Sequence, residues 1–336
     1  MATIRDVASD AGVAPSTVSY VLSGRKKLPE ATVQRVLESV ARLGYRPSPA
    51  ARALALGRTN ILGMLASYSP ATPEPDVDVF MRFVRAAMYT AQPRGYDVLV
   101  MGRGDDELAG DMLADALVVM DIRLHDRRLP VLRERGLPTV LIGWPADPAG
   151  MSAVDLDFAE AARVMVRHLA SLGHREVAVL VHPDDNVDEL AFRYRYRTAF
   201  GQTCAELGLR GAVVSCLPGP GAAGRWLDEV LTELPGLTGV LVLGLASFDD
   251  LTAELARRGR SVPGDVSVLA LAPAEQFLPL HPGTTLVDLP GRAMVSRAVE
   301  RALDELAGAA GGAVDLLPAV LHEHGSTGPA GRGLRA

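Results

Sequence analysis

Residues Thr3 to Leu22, TIRDVASDAGVAPSTVSYVL, constrain this chain more than any other stretch. Apolar Ile4, Val7, Ala8 and Ala11 recur at helical spacing, and Thr3 with Asp6 three residues on has the spacing of a capping box. Gly12 stands where a left-handed C-cap is wanted, and Pro15 where a first helical position falls. Val18, Val21 and Leu22 give a second helix its apolar face and leave Ser16, Thr17, Ser19 and Tyr20 pointing elsewhere. Helices this short bury little surface alone, so a third must cross them. Pro29 to Leu43 supplies it, with Val33, Val36, Leu37, Val40 and Leu43 on one side. That is the plan of a helix-turn-helix, whose second helix enters the DNA major groove. A helical hairpin inside a larger core would need apolar residues on both faces of the second helix, and Ser16, Ser19 and Tyr20 oppose it.

Charge supports the same reading once it is split by position. The 336 residues carry a net charge of −6, which taken whole argues against nucleic acid. Residues 1–58, however, hold nine basic groups against four acidic ones, a balance of +5 that leaves −11 on the rest. A basic head on an acidic body is the asymmetry expected when one end neutralises phosphates. Arg25–Lys26–Lys27 lies just past the second helix, where such a run reaches either solvent or backbone phosphates. Cys204 and Cys216 are too few for a disulfide framework, there is no apolar run of membrane-spanning length, and the start lacks a signal-peptide layout. A cytoplasmic, nucleoid-associated protein is expected.

After Gly44, the prolines at 47 and 49 end the three-helix unit. Residues 49–56, PAARALAL, favour helix but are too few to hold one unaided. From Asn60 onward, short aliphatic runs recur at Ile61–Leu65, Val98–Met101, Ala116–Met120, Thr139–Ile142, Val177–Val181, Ala212–Cys216, Val240–Leu243 and Val266–Leu271. Between several of them lie stretches of helical spacing, such as Ala159–Leu172, Tyr196–Leu207, Trp226–Leu234 and Phe248–Arg258. Strands apolar on both faces alternating with helices predict parallel sheets covered on both sides. Two such sets are expected, divided near VDLDF at 154–158. The crossover GRGDDELAGDMLAD at 102–115 is short for a strand–helix–strand unit, so that sheet edge should be less well packed.

TIRDVASDAGVAPSTVSYVLSG, GYRPSPAARALALGRTN and VPGDVSVLAL resemble the LacI/GalR family of bacterial transcription regulators, and the resemblance runs nearly the whole chain. It implies an α/β fold with an N-terminal all-α helix-turn-helix headpiece and a two-lobed, doubly wound, periplasmic-binding-protein-like (type I) core. The headpiece would span 1–58 with a hinge helix at 49–56. The core would span 59–330, with lobe 1 at about 60–157 and 288–315 and lobe 2 at about 158–287 and 316–325. The helix Met294–Leu306 would return to lobe 1, and the Gly- and Pro-rich tail at 326–336 would be disordered. By the same resemblance, Pro15, Ser16 and Tyr20 occupy base-reading positions. Thr3, Thr17, Ser19, Ser23 and Tyr45 are further DNA contacts, and Ala53 and Leu54 belong to the hinge, with Leu54 as a minor-groove wedge. Ala14 stands where the family usually has Ser, which removes an N-cap.

Open α/β folds bind ligands at the carboxyl ends of their strands. Candidate effector contacts there are Tyr68 and Ser69, then Asp157, then Arg195, Tyr196 and Arg197 in RYRYRTAF. Asp157 is equally readable as a helix N-cap. Two polar anchors of the family are replaced, by Leu243–Gly244–Leu245 and by Ala270–Leu271–Ala272–Pro273, which predicts a pocket poor at holding a polyol. His322–Glu323–His324 lacks the i, i+4 spacing of a helical metal pair, and Pro218–Gly224 lacks the Lys-Ser/Thr of a phosphate loop. No cofactor, metal or enzymatic activity is expected. The expectation is a homodimeric, sequence-specific DNA-binding regulator, a repressor, on a palindromic double-stranded DNA operator. A small-molecule effector, a sugar or a less polar metabolite, would modulate it. The competing readings are an effector-independent architectural DNA protein and a small-molecule binding protein with a vestigial head.

Overall fold

The computed structural model describes residues 2–23, 26–45, 57–66, 74–102, 108, 112–181, 190–216, 219, 221–243 and 246–331. Two compact units emerge, Met1–Ile61 with Met112–Asp115, and Leu62–Asp111 with Ala116–Ala336.

The first unit carries Ile4–Ala11 (α1), Pro15–Ser23 (α2) and Glu30–Leu43 (α3). The capping box forms as the spacing predicts. Thr3 N–H and hydroxyl each donate to Asp6 at 2.8 Å, and Asp6 N–H donates back to the Thr3 hydroxyl at 3.3 Å. Gly12 ends α1 at φ +64°, a conformation that strains any residue with a Cβ. Val7, Ala8, Ala11, Val18 and Val36 form the small core, with Ile4, Val13, Val21, Leu22, Val40 and Tyr45 packed around it. The expected face of α3 is rotated. Leu37 (46% exposed) and Leu43 (36%) face out, and Ser39 takes a buried place instead. Its hydroxyl accepts from the Arg42 guanidinium and also bonds Asp10, while Arg42 pairs with Asp10, so a polar group closes α3 against α1.

The second unit contains two sheets. Its elements run β1 (Ile61–Leu65), α4 (Glu74–Ala91), β2 (Asp97–Met101), β3 (Ala116–Val119), α5 (Arg128–Glu134), β4 (Thr139–Ile142) and β5 (Ser152–Leu156). They continue through α6 (Phe158–Ser171), β6 (Glu176–Val181), α7 (Ala191–Leu207), β7 (Arg210–Ser215), α8 (Ala222–Glu233), β8 (Gly239–Leu243) and α9 (Ala246–Arg257). The last are β9 (Ser267–Ala272), α10 (Ala274–Phe277), β10 (Thr285–Asp288), α11 (Gly291–Leu306), β11 (Val314–Leu317) and β12 (Leu321–His322). Lobe 1 has the strand order β11-β5-β4-β3-β1-β2, and lobe 2 has β12-β10-β9-β8-β6-β7. In lobe 2 only the short β12 runs antiparallel, against β10. The central strands β3, β4, β8 and β9 are buried along their whole length, which is why they read as unbroken aliphatic runs. The chain passes between the lobes after β5, after β10 and between β11 and β12. As expected, α11 returns to pack on lobe 1.

Two features bear on the sequence reading. Leu99 and Val100 of the edge strand β2 are about two-fifths exposed, as the short crossover predicts, while 103–107 and 109–111 of that crossover lie outside the described residues. The tail corrects the reading. Residues 326–331 are a docked strap, not a disordered segment; 332–336 lie outside the described residues. Ser326 is buried, donating to Val268 O (2.6 Å) and accepting from Thr285 N–H (2.8 Å), while Ala330 N–H reaches Leu172 O at 2.9 Å. Small residues let this backbone lie flat on the amino ends of the lobe 2 strands. A Cβ on Gly331 would come within 2.4 Å of Gly264 O.

Candidate nucleic-acid interface and effector region

The second helix of the head presents a polar face held from behind. Val18 is fully buried against Val7 and Val36, so the opposite side of α2 must face out. Pro15, Ser16 and Tyr20 are exposed there, Tyr20 at 41%, and Ser16 and Tyr20 are one turn apart. Thr17 and Ser19 are half-buried at its margins. The Lys26 ammonium sits 5.8 Å from the Tyr20 ring centroid, placing a cation beside the apolar edge of this face. Ala14 O accepts the Thr17 N–H at 2.9 Å, so Ala14 occupies the N-cap position, and its methyl leaves the first N–H groups of α2 without a side-chain acceptor.

Other expected contacts fall differently. Thr3 is exposed, but its hydroxyl is engaged by Asp6. Tyr45 is packed on the small core. Ser23 ends α2, while Ala53 and Leu54 lie outside the described residues.

In the core unit, Tyr68 and Ser69 also lie outside the described residues. Asp157 is the N-cap of α6, accepting the Glu160 N–H at 2.8 Å. Tyr196 is the clearest correction. It is 1% exposed, packed in the core, and its hydroxyl donates to Met165 Sδ at 3.4 Å. Burial pushes that phenol far above its ordinary range, and Tyr196 is a residue of the core. Arg197 is exposed. Arg195 reaches from α7 of lobe 2 to lobe 1. Its guanidinium stacks 3.7 Å from the Trp144 ring centroid, Nε donates to Trp144 O (3.0 Å) and Nη2 to Pro145 O (3.0 Å).

The sequence reading missed Trp144, Asp155 and a pair of phenylalanines. The buried Asp155 carboxylate accepts the N–H of Trp144 (3.0 Å) and of Leu156 (2.9 Å). Burial pushes its carboxyl up to about 7, against the pull of those two bonds and of Arg195. Phe158 and Phe192, at the starts of α6 and α7, lie 4.9 Å apart. Their adjacency depends on the packing of α6 on α7 and leaves no local sequence signal. Ala270, Leu271 and Ala272 are buried and bring no polar side chain to the end of β9, as the replaced anchor predicts; Gly244 and Leu245 lie outside the described residues. Among the described residues no cluster of His, Cys, Asp and Glu is built to hold a metal, and no helix is long and apolar enough to cross a membrane.

A three-helix head with an exposed polar recognition face, in one chain with two open α/β lobes, defines a DNA-binding regulator with a periplasmic-binding-protein-like core. Residues 3–48 match the bacterial regulatory proteins of the lacI family, and residues 166–327 match the periplasmic binding protein-like domain. An uncharacterized HTH-type transcriptional regulator from the aml 5′ region of Streptomyces limosus is 30% identical over 322 residues, covering 90% of this chain and 88% of its own length. The lac repressor dimer bound to operator and an anti-inducer shares the fold, with a TM-score of 0.79 at 21% identity over 97% of this chain and 99% of that one. A CelR–cellobiose complex gives 0.67 at 22% identity over 97% and 100%. The chain belongs to the lacI family of bacterial regulatory proteins. It is a sequence-specific DNA-binding transcription regulator and not an enzyme.

Proposed function

We propose that the protein is a homodimeric repressor acting on the nucleoid in the cytoplasm, with α2 of each head in the major groove of one half of an inverted-repeat operator. The observation that carries this is the exposed face of Pro15, Ser16 and Tyr20 on a helix pinned by Val18. Ser16 bonds a base edge or phosphate, and Tyr20 and Pro15 give apolar contact, such as to a thymine methyl. Thr17 and Ser19 set register on the phosphates. Ala53 and Leu54 belong to a hinge that orders at the centre of the operator, with Leu54 wedged into the minor groove.

Lobe closure around an effector changes the operator affinity by favouring one of two states. The similar structures were solved with an anti-inducer and with cellobiose, which supports a small organic effector here. The apolar end of β9 and the Phe158–Phe192 pair favour one less polar than a free sugar, at a site that includes Tyr68, Ser69 and the stretch around Arg195 and Arg197. Selection of bound sequences from a random duplex pool tests the DNA assignment. An inverted repeat must emerge, and Ser16→Ala with Tyr20→Ala must lose its preference while still binding bulk DNA at low salt. Recovery of no preferred sequence would overturn it.

A further inference from the structure

The two lobes touch through residues that bind one another across them. In lobe 1, the turn after β3 is stiffened by the buried Arg128–Asp126 pair at 2.7 Å, and Arg128 also donates to Met120 O and Asp121 O. Burial alone would raise the Asp126 carboxyl, but the bonds and charge of Arg128 outweigh it and hold it low. From this braced turn Ile122 O accepts the Ala191 N–H of α7 at 2.9 Å, and Arg123 forms a single antiparallel bridge with Leu190. Gly143 after β4 has φ +127°, and a Cβ there would sit 2.7 Å from Ile122 Cβ. Only glycine allows the two lobe 1 turns to nest so closely and presents Trp144 to α7. Trp144 is then held on both sides, by Asp155 at its N–H and by Arg195 on its ring and carbonyl.

We propose that Arg195 is an internal clasp. By stacking on Trp144 and bonding Trp144 O and Pro145 O, it holds lobe 2 against lobe 1 and does from within the chain what a bridging effector does elsewhere. The lobes are thus held together by the chain's own side chains, and an effector that closes the core around itself must first displace Arg195 from Trp144. Three features make the clasp strong for one side chain. A guanidinium on indole is the most favourable cation–π pairing. Its two hydrogen bonds are charge-assisted. The Asp157 carboxylate, and that of Asp155 once it ionises, add attraction to the cation. The inference rests on the reading that lobe closure governs operator affinity.

The test uses the full chain with no added ligand. Small-angle scattering gives its radius of gyration, and acrylamide quenching reports Trp144. The other tryptophan, Trp226, is 1% exposed, and the Trp144→Phe variant supplies its contribution for subtraction. Arg195→Ala should enlarge the radius and raise Trp144 quenching several-fold, with the cooperative thermal transition retained. Arg195→Lys keeps the charge but loses the planar stack and one of the two bonds, so it should fall between. Should Arg195→Ala match wild type in both radius and quenching, the clasp is overturned. Trp144→Leu must open the chain as Arg195→Ala does, which guards against a variant that only misfolds. Operator titration separates this inference from the functional reading. A more open Arg195→Ala protein with wild-type operator affinity upholds the clasp and removes its coupling to DNA. Failure of every form to prefer any duplex removes the functional reading and leaves the scattering and quenching outcome to decide the clasp.

Discussion

Trp144 and Asp155 are eleven residues apart in sequence, yet the Trp144 N–H donates to the Asp155 carboxylate at 3.0 Å because β4 and β5 are parallel neighbours in the lobe 1 sheet. The bond ties the end of β4 to the strand through which the chain first leaves lobe 1. It also keeps an ionisable group buried in the lobe 1 sheet.

That placement has a definite pH signature. Asp155 moves from 3.8 to about 7 in the folded protein, so between these values the folded state holds a proton the unfolded chain has released. The Asp155 contribution to stability is therefore greatest in acid and falls as pH rises towards 7, by roughly 4 kcal/mol once ionisation is complete. Asp155→Asn cannot ionise. Urea midpoints from pH 5 to 8 should fall for the wild type and stay flatter for the variant, which becomes the more stable of the two at pH 8. Parallel curves would show that Asp155 is ionised throughout.

The strap behaves in the opposite sense. His174 is fully buried, with Nδ1 2.8 Å from Thr238 Oγ1 and Nε2 3.0 Å from Ser267 Oγ and 3.2 Å from Gly328 O. Nearby, His168 Nε2 pairs with Thr327 Oγ1 at 2.9 Å, and Thr285 Oγ1 lies 3.1 Å from the same hydroxyl. Burial lowers the pKa of both histidines; the Gly328 carbonyl resists this for His174, whereas His168 reinforces it, and Glu323 resists it for His168. The unfolded chain thus takes up protons first, and stability present above the ordinary 6.5 is lost as pH falls below it. Amide exchange of Gly328 and Ala330, corrected for intrinsic rate, should speed up between pH 7.5 and 5.5. His174→Ala should leave both amides weakly protected at either pH. Unchanged protection would mean that the strap holds without its histidines.

The places where sequence alone succeeded and failed share one physical cause. Strands apolar on both faces, such as Ala116–Val119 and Gly239–Leu243, carry their burial in their composition. Ser152–Leu156 was legible only as a divider between lobes, because its buried Asp155 and Ser152 are satisfied by partners from elsewhere in the fold. Ser152 Oγ bonds Glu305 at 2.5 Å. Tyr196 was misread through its neighbours. The arginines around it suggested a ligand run, while Tyr196, Ala199, Phe200, Thr203 and Cys204 in fact fall on one buried face at helical spacing, a periodicity present in the sequence. Ser326 and Gly328 looked like linker because small polar residues suit loops as well as close docking on a sheet end. The head was the most legible part, since its caps and apolar stripe are local.

One local defect of the head can be repaired. Ala14 occupies the N-cap of α2 without a side chain able to accept the Ser16 or Thr17 N–H. Ala14→Ser should stabilise the helix by about 1 kcal/mol. That is about a fivefold slowing of amide exchange within residues 16–22, with exchange in α11 unchanged. A slowing spread over both units would assign the effect to something other than the cap.

Tyr20 and Lys26 should separate base reading from charge, although the ammonium lies only 5.8 Å from the ring centroid. Tyr20 contributes apolar surface, whose value depends on which base lies opposite, so Tyr20→Ala should cost about 1–3 kcal/mol at particular operator positions and little at others. Lys26 contributes charge, which every phosphate meets alike. Lys26→Ala should weaken all duplexes together and reduce the slope of log affinity against log salt by about one unit. Fluorescence anisotropy with single-base operator variants over a range of salt reads both effects. The assignment depends on their being different. Equal losses on every sequence for both variants would place Tyr20 on the backbone, and a Lys26→Ala slope equal to wild type would place that ammonium away from the DNA, with its partner in the Tyr20 ring alone.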